Sequence, residues 1–265
     1  MNAHEKMQAL KEIIASKGSM LISYSGGVDS ALLAVLATEM LGNNARCILL
    51  DSPVVPRAAI AEAQQIAEES GLSLEIIPVH MMDDERFTKN PGERCYWCKK
   101  KSAKVLKWKK EALHFACIAD GINLSDTCEH RPGLSASTEE GIFHPFLEAG
   151  ITKADIREIA QAKGLPFWNK PSAACLSSRI PYGDEITLKK LAMIEKAEAF
   201  LHTSGFSQCR VRMHWDIARI EVASDDMQKL MDKREDLVKK FQSIGFTYVT
   251  LDLTGYRSGS MDEVL

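Results

Sequence analysis

The chain has 265 residues, enough for one large or two modest domains with a properly buried core. Its formal charge of −3 argues against a nucleic-acid-binding surface spread over the whole molecule and leaves room only for a local basic patch. No apolar run approaches the roughly 20 residues of a membrane span, and Met1-Asn2-Ala3-His4-Glu5-Lys6 has no signal-peptide pattern. A cytoplasmic protein with no membrane and no nucleic-acid partner is expected.

Strand-like apolar runs at about 19–24, 45–51, 73–79 and 115–120 alternate with helical patterns at about 4–17, 29–41, 56–70 and 93–113. That alternation predicts an α/β fold with a doubly wound, mostly parallel sheet, in which ligands bind beyond the carboxyl ends of the strands. Ser25, Asp51 and Asp120 all sit at such ends. A further helix runs from Ala154 to Lys163 and is stopped by Gly164 and Pro166. The loop from Phe167 to Asp184 has two prolines and little periodicity. The domain boundary is placed there, giving domains 1–180 and 181–265. The second reads as a smaller α+β unit, with helices at about 187–203 and 225–243, strands at about 208–213, 217–222 and 246–252, and a hairpin turn at His214-Trp215-Asp216. A unit this small is expected to pack on the first domain or on a partner subunit, so a homo-oligomer is expected.

Between the first strand and its helix stands Ser25-Gly26-Gly27-Val28-Asp29-Ser30. The glycines let the backbone approach an anion with no Cβ in the way, and the helix N-terminus adds aligned N–H groups. Ser25 and Ser30 supply hydroxyls. Asp29 would repel a phosphate unless a cation lies between them, so magnesium-bound polyphosphate is the natural ligand. The string resembles the PP-loop of the ATP pyrophosphatase superfamily, whose members cleave ATP between the α and β phosphates. It is not a Walker loop, since no Gly-Lys-Ser/Thr follows the glycines.

Asp51-Ser52-Pro53 follows the second strand and reads either as a nucleoside contact or as a helix-cap turn. Asp120-Gly121-Ile122-Asn123-Leu124-Ser125-Asp126 follows the fourth. Its carboxylates, Asp120 and Asp126, either coordinate magnesium and orient ATP or satisfy their own turn backbone. This cluster resembles the superfamily's second acidic motif, and Arg131 just beyond it adds a cation.

Seven cysteines make an odd count in a reducing compartment, so clustered cysteines are read as ligands or reactive groups before disulfides. Cys47 and Cys117 lie in apolar runs and read as core. Cys95 and Cys98, in Arg94-Cys95-Tyr96-Trp97-Cys98-Lys99, share one face of a helical turn. Cys175 lies in a loop, Ala174-Cys175-Leu176-Ser177-Ser178-Arg179-Ile180-Pro181-Tyr182-Gly183, where reactive groups are usually presented. Three thiolates suit an iron–sulfur cluster with one iron left open. A redox pair, or cysteines that only pack, are the alternatives.

Together these strings, with Cys209-Arg210-Val211-Arg212 and Ala218-Arg219-Ile220-Glu221-Val222, are similar to the LarE family over nearly the whole chain. The resemblance implies an ATP-dependent sulfurtransferase for a nickel-pincer nucleotide cofactor. ATP would adenylate a carboxylate of a pyridinium-dicarboxylate mononucleotide, and sulfur would then replace AMP. It implies ATP and Mg2+ at Ser25, Gly26, Gly27, Asp29, Ser30, Asp51, Asp120 and Asp126. Cys95, Cys98 and Cys175 would bind a 4Fe-4S cluster that delivers sulfide, recharged by sulfide or a sulfur-donor protein; a variant with Cys175 alone would give up its own sulfur.

Trp97, Ser178, Arg179, Glu198, Arg210 and Arg212 would contact the nucleotide substrate. Trp97 suits a pyridinium face but equally helix packing, and Glu198 either orients substrate or is solvated. Arg210 and Arg212 fall on one face of a strand and so could grip a phosphate together. The rival readings are a tRNA-thiolating enzyme of the same superfamily, an amidating synthetase, and a non-enzymatic ATP- or AMP-binding module with a structural metal. The chain shows no zinc fingers or basic module for the first and no glutaminase domain for the second.

Overall fold

A computed structural model describes residues 3–128, 132–171, 174–257, 259–261 and 263. Its elements run as α1 (Ala3–Ser16), β1 (Met20–Tyr24), α2 (Val28–Leu41), β2 (Ala45–Asp51), α3 (Arg57–Glu69), β3 (Leu74–Pro78), α4 (Glu85–Thr88), α5 (Arg94–Leu113), β4 (Cys117–Ala119), α6 (Pro132–Glu139), α7 (Pro145–Glu148), α8 (Lys153–Ala162), α9 (Leu188–Thr203), β5 (Cys209–His214), β6 (Ile217–Val222), α10 (Met227–Asp232), α11 (Arg234–Ile244) and β7 (Tyr248–Leu251). The chain divides into two compact units, Met1–Met81 with Cys95–Ala173, and Met82–Arg94 with Ala174–Leu265. Among the described residues no helix is long and apolar enough to cross a membrane.

The first unit is built on a sheet ordered β3-β2-β1-β4 with every pairing parallel. Its central strands β1 and β2 are mostly buried on both faces, as parallel strands usually are, while the edge strand β3 is half-buried. Met20, Ile22, Tyr24, Cys47 and Leu49 face a core filled by α1, α2, α3 and α8. Their neighbours Leu21, Ile48 and Ile118 face Ala103 and Leu106 of α5. Each such aliphatic side chain contributes about 1.5–3 kcal/mol when fully buried. Helix α2 is apolar almost all round, with Ala31 to Ala37 all buried, which suits a helix enclosed on every side. Cys47 is a core residue, whereas Cys117 is only partly buried, its thiol 3.6 Å from the Ser19 carbonyl.

The chain runs from β1 to β2 and β3 on one side and returns to lay β4 on the other side of β1. That reversal makes the carboxyl ends of β1 and β4 the switch point, where a crevice for a ligand opens.

In the second unit β5 and β6 form an antiparallel hairpin and β7 pairs parallel to β6. The hairpin turns at Trp215, whose φ is 54°. Leu201, Phe206, Val211, Ile220 and Phe241 fill its core. The single helix expected near 225–243 is instead broken at Lys233 into α10 and α11. The break accompanies two long-range contacts: Lys229 and Lys233 donate to the carbonyls of Gly205 and Ser204, at 2.6 and 3.0 Å.

Residues 82–94 belong to this unit largely through Asn90. It is fully buried with φ 55°, a left-handed conformation that Asn tolerates better than most residues. Its amide donates to the carbonyls of Pro181, Asp184 and Ile180 at 2.7, 3.0 and 3.3 Å, and its carbonyl accepts from Arg94 at 2.6 Å. Asn90→Ala strands these buried partners, so denaturant unfolding of this unit should lose about 2–4 kcal/mol. An unchanged midpoint would show that the Asn90 amide does not tie the segment down.

Candidate active site

The turn after β1 is shaped by close packing. Tyr24 donates its hydroxyl to the Ala63 carbonyl on α3 at 3.1 Å. Gly26 follows with φ 69°, and a Cβ there would lie 2.4 Å from the Ala63 Cβ, so this position requires glycine. The Ser30 hydroxyl donates to the Gly27 carbonyl at 3.2 Å, accepts from the Ser25 N–H at 3.1 Å and lies 3.0 Å from the Ser25 hydroxyl. Ser30 therefore folds the turn onto itself, while Ser25 stands exposed at its edge. Helix α2 is preceded at its N-cap position by Gly27, which provides no side-chain cap. Its first N–H groups and the positive end of its dipole are left for an anion.

Asp29, in the first turn of α2, receives the Lys153 ammonium on both oxygens, at 2.6 and 2.5 Å. Lys153 opens α8, whose start is fixed by a capping box between Thr152 and Asp155. A second ammonium, Lys170, donates to the Gly26 carbonyl and to Glu62, each at 2.9 Å. Two lysines thus flank the glycine turn. Neither stood out from its local sequence. The Thr152-Lys153-Ala154-Asp155 capping pattern places the first on a helix start, but its partner lies 124 residues away.

At the end of β4, Asp120 is 4% exposed and spends both oxygens on protein. One accepts from Lys99 and Ser137, both at 2.9 Å; the other lies 2.7 Å from His144 Nδ1 and accepts from the Ile122 N–H at 3.3 Å. Burial alone would push this carboxyl's pKa up, but the Lys99 charge and the His144 and Lys99 hydrogen bonds prevail and hold it well below the usual carboxylate range. Gly121 next to it touches the start of α2: a Cβ there would come within 2.9 Å of Asp29 Cβ and of the Ser30 nitrogen. Asp126 accepts from the Asn123 N–H and side-chain amide at 3.0 and 2.8 Å, the geometry of a turn closed on its own backbone. Arg131 lies outside the described residues.

Asp51 ends β2 and pairs with Arg57 at 2.5 Å, while the same guanidinium donates to the Ser52 and Val55 carbonyls, each at 2.8 Å. Cys95 and Cys98 lie one turn apart near the start of α5, the first exposed and the second half-buried. Trp97 packs edge-on to Tyr96, with ring centroids 5.1 Å apart. Lys99 follows Cys98 directly, so the cysteine turn is tied to Asp120 within the first unit.

In the second unit Cys175 is half-buried and precedes a short 3-10 turn, Leu176–Arg179. Arg179 is 2% exposed. It makes a two-pronged pair with Glu198, at 2.9 and 3.0 Å, and donates to the carbonyls of Ala174 and Cys175 and to the Ser178 hydroxyl, each at 2.9 Å. Glu198 also accepts the Val211 N–H at 3.0 Å. These two residues therefore clamp the cysteine loop to α9 and β5.

Arg212 is buried against the fully buried Glu221 at 2.8 Å and donates to the Ser178 carbonyl at 3.1 Å. Its Nε is buried with no hydrogen-bond partner among the described residues. Arg210, on the same strand face, is half-buried and lies over the Tyr256 ring at 5.3 Å. Glu221 appeared in the sequence only as part of a motif, since its pairing with Arg212 needs the β5–β6 register to be known.

Residues 3–94 match the family model described as NAD synthase, a stretch that holds the glycine turn but not Cys95, Cys98 or Cys175. An uncharacterised protein of Synechocystis is 40% identical over 98% of both chains. An uncharacterised protein of Methanocaldococcus jannaschii is 35% identical over 94% of both. The pyridinium-3,5-bisthiocarboxylic acid mononucleotide synthase of Lactiplantibacillus plantarum is 34% identical over 92% of this chain and 89% of its own. At that identity, sustained across both units, the chain belongs to the LarE family, the family of that synthase.

Proposed function

We propose that this protein uses ATP and magnesium to adenylate a carboxylate of pyridinium-3,5-biscarboxylic acid mononucleotide and then replaces AMP by sulfur, forming a thiocarboxylate. The observation that carries this reading is the 34% identity with the Lactiplantibacillus synthase along nine-tenths of the chain. The uncapped start of α2 at a sheet switch point, flanked by Lys153 and Lys170, fits the first half of that chemistry.

In the adenylation step a substrate carboxylate oxygen attacks the α-phosphorus, and the bond to the bridging oxygen of the leaving pyrophosphate breaks. The N–H groups at the start of α2 and the glycine turn receive the charge that develops on that leaving group. Asp29 is partly exposed at the mouth of the turn and fits magnesium as an anchoring carboxylate. Asp120 does not, since Lys99, Ser137, His144 and Ile122 occupy its oxygens; its part is to hold Gly121 and the cysteine turn. Bound magnesium would neutralise charge on the phosphate oxygens. In the second step a sulfur nucleophile attacks the acyl carbon and AMP departs with the electron pair.

Cys175 is the residue to which this sulfur chemistry is assigned, with its loop shaped by Arg179 and Glu198. Among the described residues no three His, Cys, Asp or Glu side chains stand together as a metal site. The reading of Cys95, Cys98 and Cys175 as ligands of a 4Fe-4S cluster that supplies sulfide rests on their spacing and on the family resemblance. Recharging by sulfide or a donor protein, and a homo-oligomeric assembly, belong to the same reading. Arg210 and Arg212 are proposed to hold the substrate phosphate; the unpartnered buried Nε of Arg212 supports an anion there.

Incubation with ATP, magnesium, sulfide and the dicarboxylate mononucleotide should give AMP and a product with oxygen exchanged for sulfur by mass spectrometry. AMP release with nicotinic acid adenine dinucleotide and ammonia, or with bulk tRNA, and none with the mononucleotide would overturn the assignment. Cys175→Ala should abolish the thiocarboxylate while leaving pyrophosphate release in place. Gly121→Ala should cost about 1–3 kcal/mol of stability by overpacking and weaken ATP binding measured by calorimetry. Gly133→Ala, where an added Cβ meets nothing closer than 3.8 Å, should do neither.

A further inference from the structure

Lys153 is an odd choice for the place it occupies. It is the first residue of α8, where a positive charge meets the positive end of the helix dipole and disfavours the helix. The helix does not need it, because Thr152 and Asp155 already cap that end. Its backbone is fixed further by an N–H bond to the Ser125 hydroxyl at 3.1 Å. The Asp29 backbone is fixed too, packed against Gly121. Between these two anchored points, the Lys153 and Asp29 side chains are 30% and 28% exposed, so the long Lys153 stem is not enclosed.

Lys170 differs. Its side chain is only 13% exposed and is pinned between the Gly26 carbonyl and Glu62, so it serves as a fixed support of the turn.

We propose that Lys153 is a catalytic residue that exchanges partners: it holds Asp29 before nucleotide binds, and turns to the leaving pyrophosphate once magnesium takes that carboxylate. The inference rests on the reading of the glycine turn as a magnesium-pyrophosphate site. Lys153 now holds both Asp29 oxygens, so a divalent cation that binds this carboxylate competes with the ammonium and repels it. The displaced charge needs a new anion, and Asp120 at the end of the neighbouring strand is already saturated by Lys99, His144, Ser137 and Ile122. Phosphate oxygens bound at the start of α2, where Asp29 itself lies, offer such an anion. The exchange keeps the turn neutral when empty and delivers a positive charge where the α–β bridging oxygen departs.

The test is pyrophosphate binding to the full chain by calorimetry across a magnesium series, for wild type, Lys153→Met, Lys153→Gln and Lys153→Arg. Removing the charge should weaken pyrophosphate binding at saturating magnesium by about 10- to 100-fold, the worth of a charge-assisted bond. It should also lower the magnesium concentration at half-maximal binding, because Asp29 no longer has a competing cation. Lys153→Arg should restore part of the affinity. Unchanged pyrophosphate affinity in both neutral variants, or a raised magnesium requirement, would overturn the exchange. Failure of the wild type to bind magnesium pyrophosphate would instead overturn the reading of the turn itself.

Discussion

Close backbone packing around the start of α2 is the constraint on which the first unit depends. Gly26 lies against Ala63 of α3, and Gly121 lies against Asp29 and Ser30. No side chain fits at either contact. The turn from β1 is thereby held between α3 on one side and the loop after β4 on the other. The N-terminus of an otherwise sealed helix is left facing the switch point of the sheet. Everything proposed for phosphate chemistry depends on that exposed end, because a helix start capped by its own side chains would have no N–H groups to offer.

The electrostatics are arranged around the same spot. Lys153 and Lys170 neutralise Asp29 and support the Gly26 carbonyl. Asp120 gathers Lys99, His144 and Ser137. Because Lys99 follows Cys98, the Asp120 hub ties the cysteine turn of α5 to the loop that presses on α2. The second unit uses charge differently. Arg179 and Glu198 pair deep in the fold and hold the Cys175 loop by its carbonyls. Breaking such a pair costs more than the pair contributes, since the orphaned charge stays buried. The clamp therefore fixes one loop conformation.

The sequence showed the parallel sheet, the hairpin and the glycine turn because each has a local signature: near-continuous apolar runs, a turn between alternating strands, and paired glycines between an apolar strand and a helix. It also placed Cys95 and Cys98 on one helical face. Pairings between distant residues were not legible. Arg179 and Glu198 read as substrate contacts because nothing local reveals that they meet across 19 residues, and Arg212 gave no sign of its buried partner Glu221. Asp120 and Asp126 looked alike in one acidic string, yet one is a buried hub and the other closes its own turn. Lys153 and Lys170 carry the most weight for the proposed phosphate site, and both were hidden because an isolated lysine has no pattern until the chain folds.

The proposed chemistry turns on where the nucleotide is cleaved. Its direct measurement is a single turnover with the dicarboxylate mononucleotide labelled with heavy oxygen in its carboxylates, with the nucleotide products resolved by mass. Attack on the α-phosphorus predicts AMP carrying one labelled oxygen, together with pyrophosphate and no ADP. Formation of ADP, or AMP without the label, would contradict it.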